Sequence, residues 1–573
     1  MRLSSGLRHW ISVGVLLVAS PLHANPLHAS ATAESNAEKS RPNILMIVAE
    51  DMSPRVGVYG DALAKTPSID RLAKEGVIYT NMHTISGVCA PSRSSLVTGV
   101  YATSMGTHQM RTSQGRLSET ITGYEAVPPP EVKAFPELLR AGGYSTANWA
   151  KKDYQFGEPF TLWDVDDGGF WGPIEAALWR RLPDDKPWFV MMNLVSTHES
   201  YLVVPGDYPK QWAPFTNILL KERKRTTIAI TDPNAVSVPP YLVDSAETRA
   251  SIAQHYDNIA FMDTQLQSIL EALVEDGLDD NTIVIFTTDH GDPFPRAKRA
   301  IYDSGTHVPF IIRYPSGEGA GTVETRLTSF VDIAPTVMRW AGLTPPGFIQ
   351  GQDLVTTAPR KYLFAGRDRM DQVQDRARSV RDERFKLIQN FMSDAPYFRP
   401  LVFRDMFPSM QSLWQAQASG QLTEKQAFYF QASRPNYELY DLKADPHEIN
   451  NLAGKPDYGK ELNRLIAALE DWYEQVGDRA DVSEREMVFE MWQGESQPET
   501  APPRAKVETL EAGAKAVSLS ATTDGASISY KKNSDSWQIY TRPVRLEKTD
   551  TLLAKAIRYG YKESEEIAVP TDN

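Results

Sequence analysis

One cysteine, Cys89, stands in a chain of 573 residues. A single thiol closes no internal disulfide, so the fold must be held by its own core, and the odd thiol needs another explanation. Beyond the amino terminus there is no apolar run long enough to cross a bilayer. No cysteine follows the leader to carry a lipid, so no membrane anchor is expected. Positive charge is also short, with 60 Lys and Arg against 73 Asp and Glu and a formal net charge of −13. That balance argues against nucleic acid as a partner. It also means that an anionic ligand must be held by cations placed locally, because the molecule as a whole does not attract it. Repeats and low-complexity tracts are absent outside short spacers.

What is present is ordinary for a globular protein: 41% hydrophobic and 23% charged residues. The length exceeds what one core supports, so at least two domains are expected. Arg2 and Arg8 precede an apolar run from Trp10 to Ala19, with small-residue exits near Ala24 or Ala29. Residues 1–24 therefore read as a signal peptide and 25–40 as a disordered spacer, implying export to a periplasm or the outside.

From Asn43 to Val48 a continuous apolar run reads as a buried parallel strand ending at Glu50-Asp51. Thr66-Pro67 opens a helix with Ile69, Leu72 and Ala73 on one face and Gly76 as its stop. Trp188 to Met192 leads as a strand to His198, and Ile283 to Thr287 leads to Asp289-His290. An amphipathic helix from about Glu247 lies between them, and Val308 to Ile312 adds another strand. Strands alternating with helices predict an α/β fold with a mostly parallel sheet flanked by helices, its polar candidates at the carboxyl ends of strands. Residues 41–345 form this domain. A smaller α+β subdomain is expected over 346–485, with a strand at Tyr437–Leu442 and a helix from about Tyr458 to Val476. A linker over 486–505 and a small all-β sandwich over 506–573 complete the chain.

Cys89 lies in Ser86-Gly87-Val88-Cys89-Ala90-Pro91-Ser92-Arg93, where Pro91 suits a first helical turn and Gly99 a helix end. A helix amino terminus favours an anion, and Arg93 adds a forked cation one turn on. Cys89-Ala90-Pro91-Ser92-Arg93 also resembles the Cys-x-Pro-Ser-Arg signature of the type I sulfatases, in the alkaline phosphatase superfamily. There an enzyme oxidises the cysteine to formylglycine (3-oxoalanine), whose hydrate is the nucleophile. The resemblance covers roughly Arg41 to Leu452.

The resemblance implies an alkaline-phosphatase-like catalytic domain and a divalent cation, Ca2+ in the usual case, held by Glu50, Asp51, Asp289, His290 and the residue derived from Cys89. Hard oxygen donors suit that ion, although Glu50 is longer than the family's aspartate and His290 is a softer donor. It further implies that Lys298, in Lys298-Arg299-Ala300-Ile301-Tyr302-Asp303-Ser304-Gly305, contacts sulfate, and that Lys298 and Arg93 offset the charge that develops during cleavage. His198 becomes the acid at the leaving oxygen. Where the family shows Gly-Lys-x-His, this chain has Ala150-Lys151-Lys152-Asp153. Lys151 takes the supporting lysine's place and Asp153 that of the base, with His108 as a rival. The last segment, around Thr523–Tyr530 and Ala554–Tyr561, resembles the β-module of chitobiase and hexosaminidase-type enzymes.

These features predict an exported sulfuric ester hydrolase acting on a sulfated carbohydrate, matured by a formylglycine-generating or sulfatase-maturating enzyme. Three alternatives remain open at this level: a phosphate or phosphonate ester hydrolase, an N-sulfoglucosamine sulfohydrolase-like activity, and a glycan-binding protein with a degenerate site.

Overall fold

A computed structural model describes residues 41–112, 123–168, 173–205, 216–221, 231–479 and 482–570. The predicted signal peptide and spacer lie outside them. Within the described residues no helix is long and apolar enough to cross a membrane.

The central sheet follows from its apolar runs. Its strands are β1 (Asn43–Ala49), β2 (Val77–His83), β3 (Ser145–Trp149), β4 (Val165–Asp167), β5 (Trp188–Leu194), β6 (Thr282–Thr288), β7 (His307–Arg313), β8 (Thr322–Glu324) and β9 (Thr328–Ser329). They lie in the order β4-β3-β5-β1-β6-β7-β2-β8, with β9 beside β2. Pairing from β4 to β6 is parallel and β7 runs against its neighbours. Every residue of β1 is buried, and its two faces enter different cores. Ile44, Met46 and Val48 pack with Phe135, Leu139 and Val337. Leu45, Ile47 and Ala49 pack with Ile259, Met262, Leu266 and Leu273 of the helix Ala246–Glu275. Coverage of both faces is what a continuous apolar strand requires. It also leaves the residues just past each strand's carboxyl end as the place where polar groups gather.

The predicted helix at Thr66 spans Pro67–Lys74, but Thr66 does not cap it. Asp263, from the helix Ala246–Glu275, accepts from the N–H groups of Ser68 and Ile69 instead. A tertiary contact therefore replaces the local cap.

The smaller sheet is antiparallel: β10 (Leu363–Arg367), β11 (Ala377–Arg381), β12 (Phe385–Asn390) and β13 (Tyr437–Asp441). The helix Gly459–Val476 covers it through Leu465, Leu469 and Trp472. Buried charges join this unit to the central sheet. Asp303 accepts from Arg381 at 2.6 Å and Lys386 at 2.9 Å, while Lys386 also pairs with Glu448 at 3.1 Å.

The expectation of a linker from 486 is corrected in its first part. Glu484–Trp492 is a helix capped by Ser483, and Glu484 takes two hydrogen bonds of 2.7 Å from the buried Arg369. Beyond it, β14 (Arg504–Thr509), β15 (Lys515–Ser520), β16 (Ser527–Lys532), β17 (Gln538–Ile539), β18 (Val544–Leu546), β19 (Leu552–Ile557) and β20 (Ile567–Ala568) form two antiparallel sheets around a small apolar core. This unit is docked on the rest of the chain. Tyr559 is fully buried in the larger core, stacks on Phe156 at 5.1 Å and donates to Glu137 at 2.9 Å.

Candidate active site

Three strand ends and one helix start make the site. Glu50 and Asp51 follow β1, Asp289 and His290 follow β6, and Asn193 lies near the end of β5. Cys89 opens the helix Cys89–Thr98, every residue of which is buried, and Gly99 ends it in the left-handed region at φ 70°. Gly87 lets the preceding loop lie directly on the Lys298 segment: Arg299 donates its backbone N–H to the Gly87 carbonyl, and a Cβ at Gly87 would stand 1.9 Å from the Ala300 oxygen. Only glycine fits there.

The acids converge. Ligand atoms of Asp51, Cys89, Asp289 and His290 lie within 4.8 Å of one another, as do those of Glu50, Asp51, Cys89 and His198. His290 Nε2 is 3.0 Å from Asp51 Oδ1, 3.7 Å from Asp289 Oδ1 and 3.4 Å from Cys89 Sγ. Its Nδ1 faces the Gly291 carbonyl at 3.0 Å, which fixes the donor there and turns Nε2 toward the acids. Burial works against the imidazolium, but Asp289 and Asp51 outweigh it and push the pKa of His290 up to about 10. Burial drives Glu50 up to about 7 in spite of Arg93 and Lys151. Asp51 is held well below the usual carboxylate range: burial opposes this, and Lys298, His198 and His290 overcome it.

The cations are equally placed. Lys298 donates to both oxygens of Asp51, at 2.8 and 2.6 Å, and pairs with Glu199 at 3.1 Å. Lys151 donates to Glu50 at 2.7 Å and stands 3.8 Å from Asp289. Arg93 spends its fork on three partners: Asp289 at 3.1 Å, Asn193 at 2.7 Å and Glu50 at 2.5 Å. It is 1% exposed, and each of its three nitrogens meets a different partner, so it holds the acids in place.

His198 is buried, with Nδ1 2.8 Å from the Ser200 hydroxyl. Burial and then Lys298 hold its pKa well below the usual histidine value. Asp153 lies at the edge, 31% exposed and 3.9 Å from Lys151. His108 lies elsewhere, in a small cavity lined by Ser86, Pro91, Tyr101 and Trp472. Sequence reasoning missed Glu199, Arg299 and Asn193. Arg299 grips Glu199 with two hydrogen bonds, of 2.9 and 2.8 Å, while the Glu199 N–H donates to Asp51 at 2.6 Å. The available signal was adjacency, since Glu199 follows His198 and Arg299 follows Lys298. Backbone strain marks the same place: Asp51, Ala150, Asp153 and Arg299 all have positive φ.

Residues 42–343 match the sequence profile of the Sulfatase family, and residues 294–426 match that of the N-sulphoglucosamine sulphohydrolase C-terminal region. An ulvan-active sulfatase of Formosa agariphila is 38% identical over 560 residues, covering 93% of this chain and 92% of that protein. The chain belongs to the sulfatase family. It is a sulfuric ester hydrolase. The N-sulphoglucosamine sulphohydrolase of Homo sapiens is 26% identical over 475 residues, 77% of this sulfatase and 91% of that protein. Among solved structures, a 2-O GAG sulfatase superposes with a TM-score of 0.54 at 20% identity, covering 76% of this chain and 93% of that one. The phosphonate monoester hydrolase of Agrobacterium radiobacter gives 0.50 at 20% identity, covering 76% and 96%. At those identities the structures testify to the fold alone.

The family implies a metal ion and a formylglycine, and the residues present fit both. Glu50, Asp51 and Asp289 supply buried oxygen donors of the kind calcium takes. His290 Nε2, 3.0 Å from Asp51 and 3.7 Å from Asp289, turns a further donor atom toward the same point. Cys89 stands beside these groups at the first turn of its helix, in the unbroken Cys-x-Pro-Ser-Arg pattern.

Proposed function

We propose that this sulfatase is exported and removes sulfate esters from sulfated polysaccharides or oligosaccharides, using a formylglycine made from Cys89 by a maturation enzyme and a bound calcium ion. The observation that carries the reading is the convergence of Cys89 with Asp51, Asp289 and His290 within 4.8 Å. Formylglycine supplies a hydrated aldehyde as nucleophile, and calcium supplies Lewis-acid stabilisation of the sulfate oxygens.

The chain's own residues do the rest. Arg93 fixes the directions of Glu50 and Asp289, so the acids are set before substrate binds. Lys298 and Lys151, both buried, offset negative charge that builds up on sulfate as its ester bond breaks. The charge of an entering anionic ester raises the proton affinity of His198 and suits it to protonate the leaving sugar oxygen. Asp153, held near Lys151, is the base that helps release sulfate in the second step.

The carbohydrate substrate is supported by the ulvan-active relative and by the N-sulphoglucosamine sulphohydrolase relative. The match of residues 294–426 to the C-terminal region of the latter keeps N-sulfate hydrolysis as a second reading. We also read the last segment, on its sequence, as a module of the kind found in chitobiase-type enzymes, which would suit a glycan substrate. The test is mass spectrometry of the peptide holding Cys89 after co-expression with a maturation enzyme, with sulfate release measured from O-sulfated and N-sulfated saccharides. Conversion of Cys89 with O-sulfate release is expected. An intact thiol with no release, or faster cleavage of aryl phosphate than aryl sulfate, would overturn the reading.

A further inference from the structure

Six side chains of alternating sign run outward from the acid cluster. Asp51 pairs with Lys298 at 2.6 Å, Lys298 with Glu199 at 3.1 Å, and Glu199 with Arg299 at 2.8 Å. Arg299 pairs with Asp371 at 3.2 Å, and Asp371 with Arg111 at 2.6 Å. Exposure rises along the row, from 0% at Asp51 through 1%, 1%, 4% and 9% to 27% at Arg111. The row therefore leads from the buried acids to solvent and ends on a cation.

Two features separate Arg111 from an ordinary surface ion pair. Four of the six residues have positive φ: Asp51 at 45°, Arg299 at 68°, Asp371 at 51° and Arg111 at 58°. Arginine gains nothing from that region, so the fold holds Arg111 there against its preference. Two hydrogen bonds set the position of the preceding residue: the Met110 N–H donates to the Arg369 carbonyl, and the Arg369 guanidinium donates to the Met110 carbonyl at 2.8 Å. The second feature is orientation. Asp371 forms a charge pair with Arg111 at 2.6 Å, and the guanidinium carbon lies 5.0 Å from the centre of the Phe403 ring, which supports the planar group from one side. Arg111 is also near enough to His198 for its charge to bear on that imidazole. A guanidinium paired with Asp371, backed by an aromatic ring and at the solvent end of a row of charges that starts in the acid cluster is placed for an oxyanion carried by the substrate itself.

We infer that Arg111 forms a second anion subsite, which binds a carboxylate or a further sulfate on the saccharide next to the ester being cleaved. The inference rests on the sulfatase reading of the site and adds to it a requirement on the substrate. Asp371 and Phe403 aim the guanidinium, and the shared charges of Arg299 and Glu199 tie its position to Lys298. A substrate with two negative groups is then fixed at two points, which helps orient the scissile ester.

The test compares wild type with Arg111→Gln and Arg111→Lys in the full-length matured enzyme. Four substrates are used: 4-nitrophenyl sulfate, a sulfated disaccharide carrying a uronate, its methyl ester, and a disulfated disaccharide without a uronate. For wild type, esterification lowers kcat/KM if the carboxylate is the second anion; a high rate on the disulfated sugar assigns the role to sulfate. Arg111→Gln is expected to lower the ratio of kcat/KM on the doubly anionic substrate to that on 4-nitrophenyl sulfate by about 10- to 100-fold, mainly through KM. Arg111→Lys should recover part of that ratio. An unchanged ratio in Arg111→Gln would overturn the inference while the sulfatase reading stands. No sulfate release by wild type from any of the four would overturn both.

Discussion

Two regions of this protein bury many charges, and they do so differently. At the joint between the sheets, Asp303 is shared by Arg381 and Lys386, and Glu448 by Lys386 and the Asp303 N–H. Asp303 and Glu448 share Lys386, Asp303 has Arg381 besides, and these pairs hold two units together. At the strand ends, Asp51 and Asp289 crowd around His290 and Cys89 within 4.8 Å, and Asp51 is kept in the left-handed region at φ 45°. Like charges close together in a buried place are costly, so acids arranged this way are arranged for a ligand. Burial of charge alone does not mark an active site. Convergence of like charge does.

The sharpest way to break the comparison is at Cys89. Cys89→Ser should lower turnover by more than about 1,000-fold while leaving the melting temperature within about 2 °C, because the swap is small and polar. Turnover above that level would remove position 89 from the chemistry.

Next is Asp153→Asn. If Asp153 serves the second step, kcat should fall by about 100-fold with a rapid first turnover of roughly one equivalent of desulfated product. A uniform slowing with no burst would leave Asp153 as a mere partner of Lys151.

The joint should respond in the opposite sense. Asp303→Asn leaves Lys386 and Arg381 short of a counter-charge and should cost about 3 kcal/mol of stability, with kcat at 25 °C changed less than about twofold. Burial tends to raise the Asp303 pKa, but Arg381 and Lys386 overcome it and hold the pKa well below its usual value. A depressed pKa gives stability that is complete above the unfolded value of about 3.9 and lost as pH falls through the folded one. The stability gap between wild type and Asp303→Asn should therefore be constant near neutrality and narrow below about pH 4. Chemical denaturation from pH 3 to 7 checks this, and a gap that widens on acidification would contradict it.

Much of the frame was readable from local pattern. The buried run of β1, the helix Ala246–Glu275 and the helix start at Cys89 each follow from a few neighbouring residues. The sulfatase signature also gave the members of the acid cluster, because the polar residues fall at the ends of strands. What was hidden depends on residues far apart in the chain. Arg93 was read as a cation that offsets charge on sulfate, and its partners Asp289, Asn193 and Glu50 come from three different strand ends. Asp263 caps a helix near Ser68 that Thr66 was expected to cap. Glu484 sits in a stretch with linker-like composition nearby, and its helix is fixed by Arg369. Tyr559, in the last segment, fills a core built mostly from residues before 355. None of these has a local periodicity to announce it.

We propose that the strand-end acids form a cation site and that the charges at the joint do not. Calcium titration followed by melting temperature tests it most directly, on chelator-treated wild type, Asp51→Asn and Asp303→Asn. Binding to the native state should raise the melting temperature of wild type and of Asp303→Asn by similar amounts, and leave Asp51→Asn unmoved. An unresponsive wild type, or a full response in Asp51→Asn, would contradict the claim.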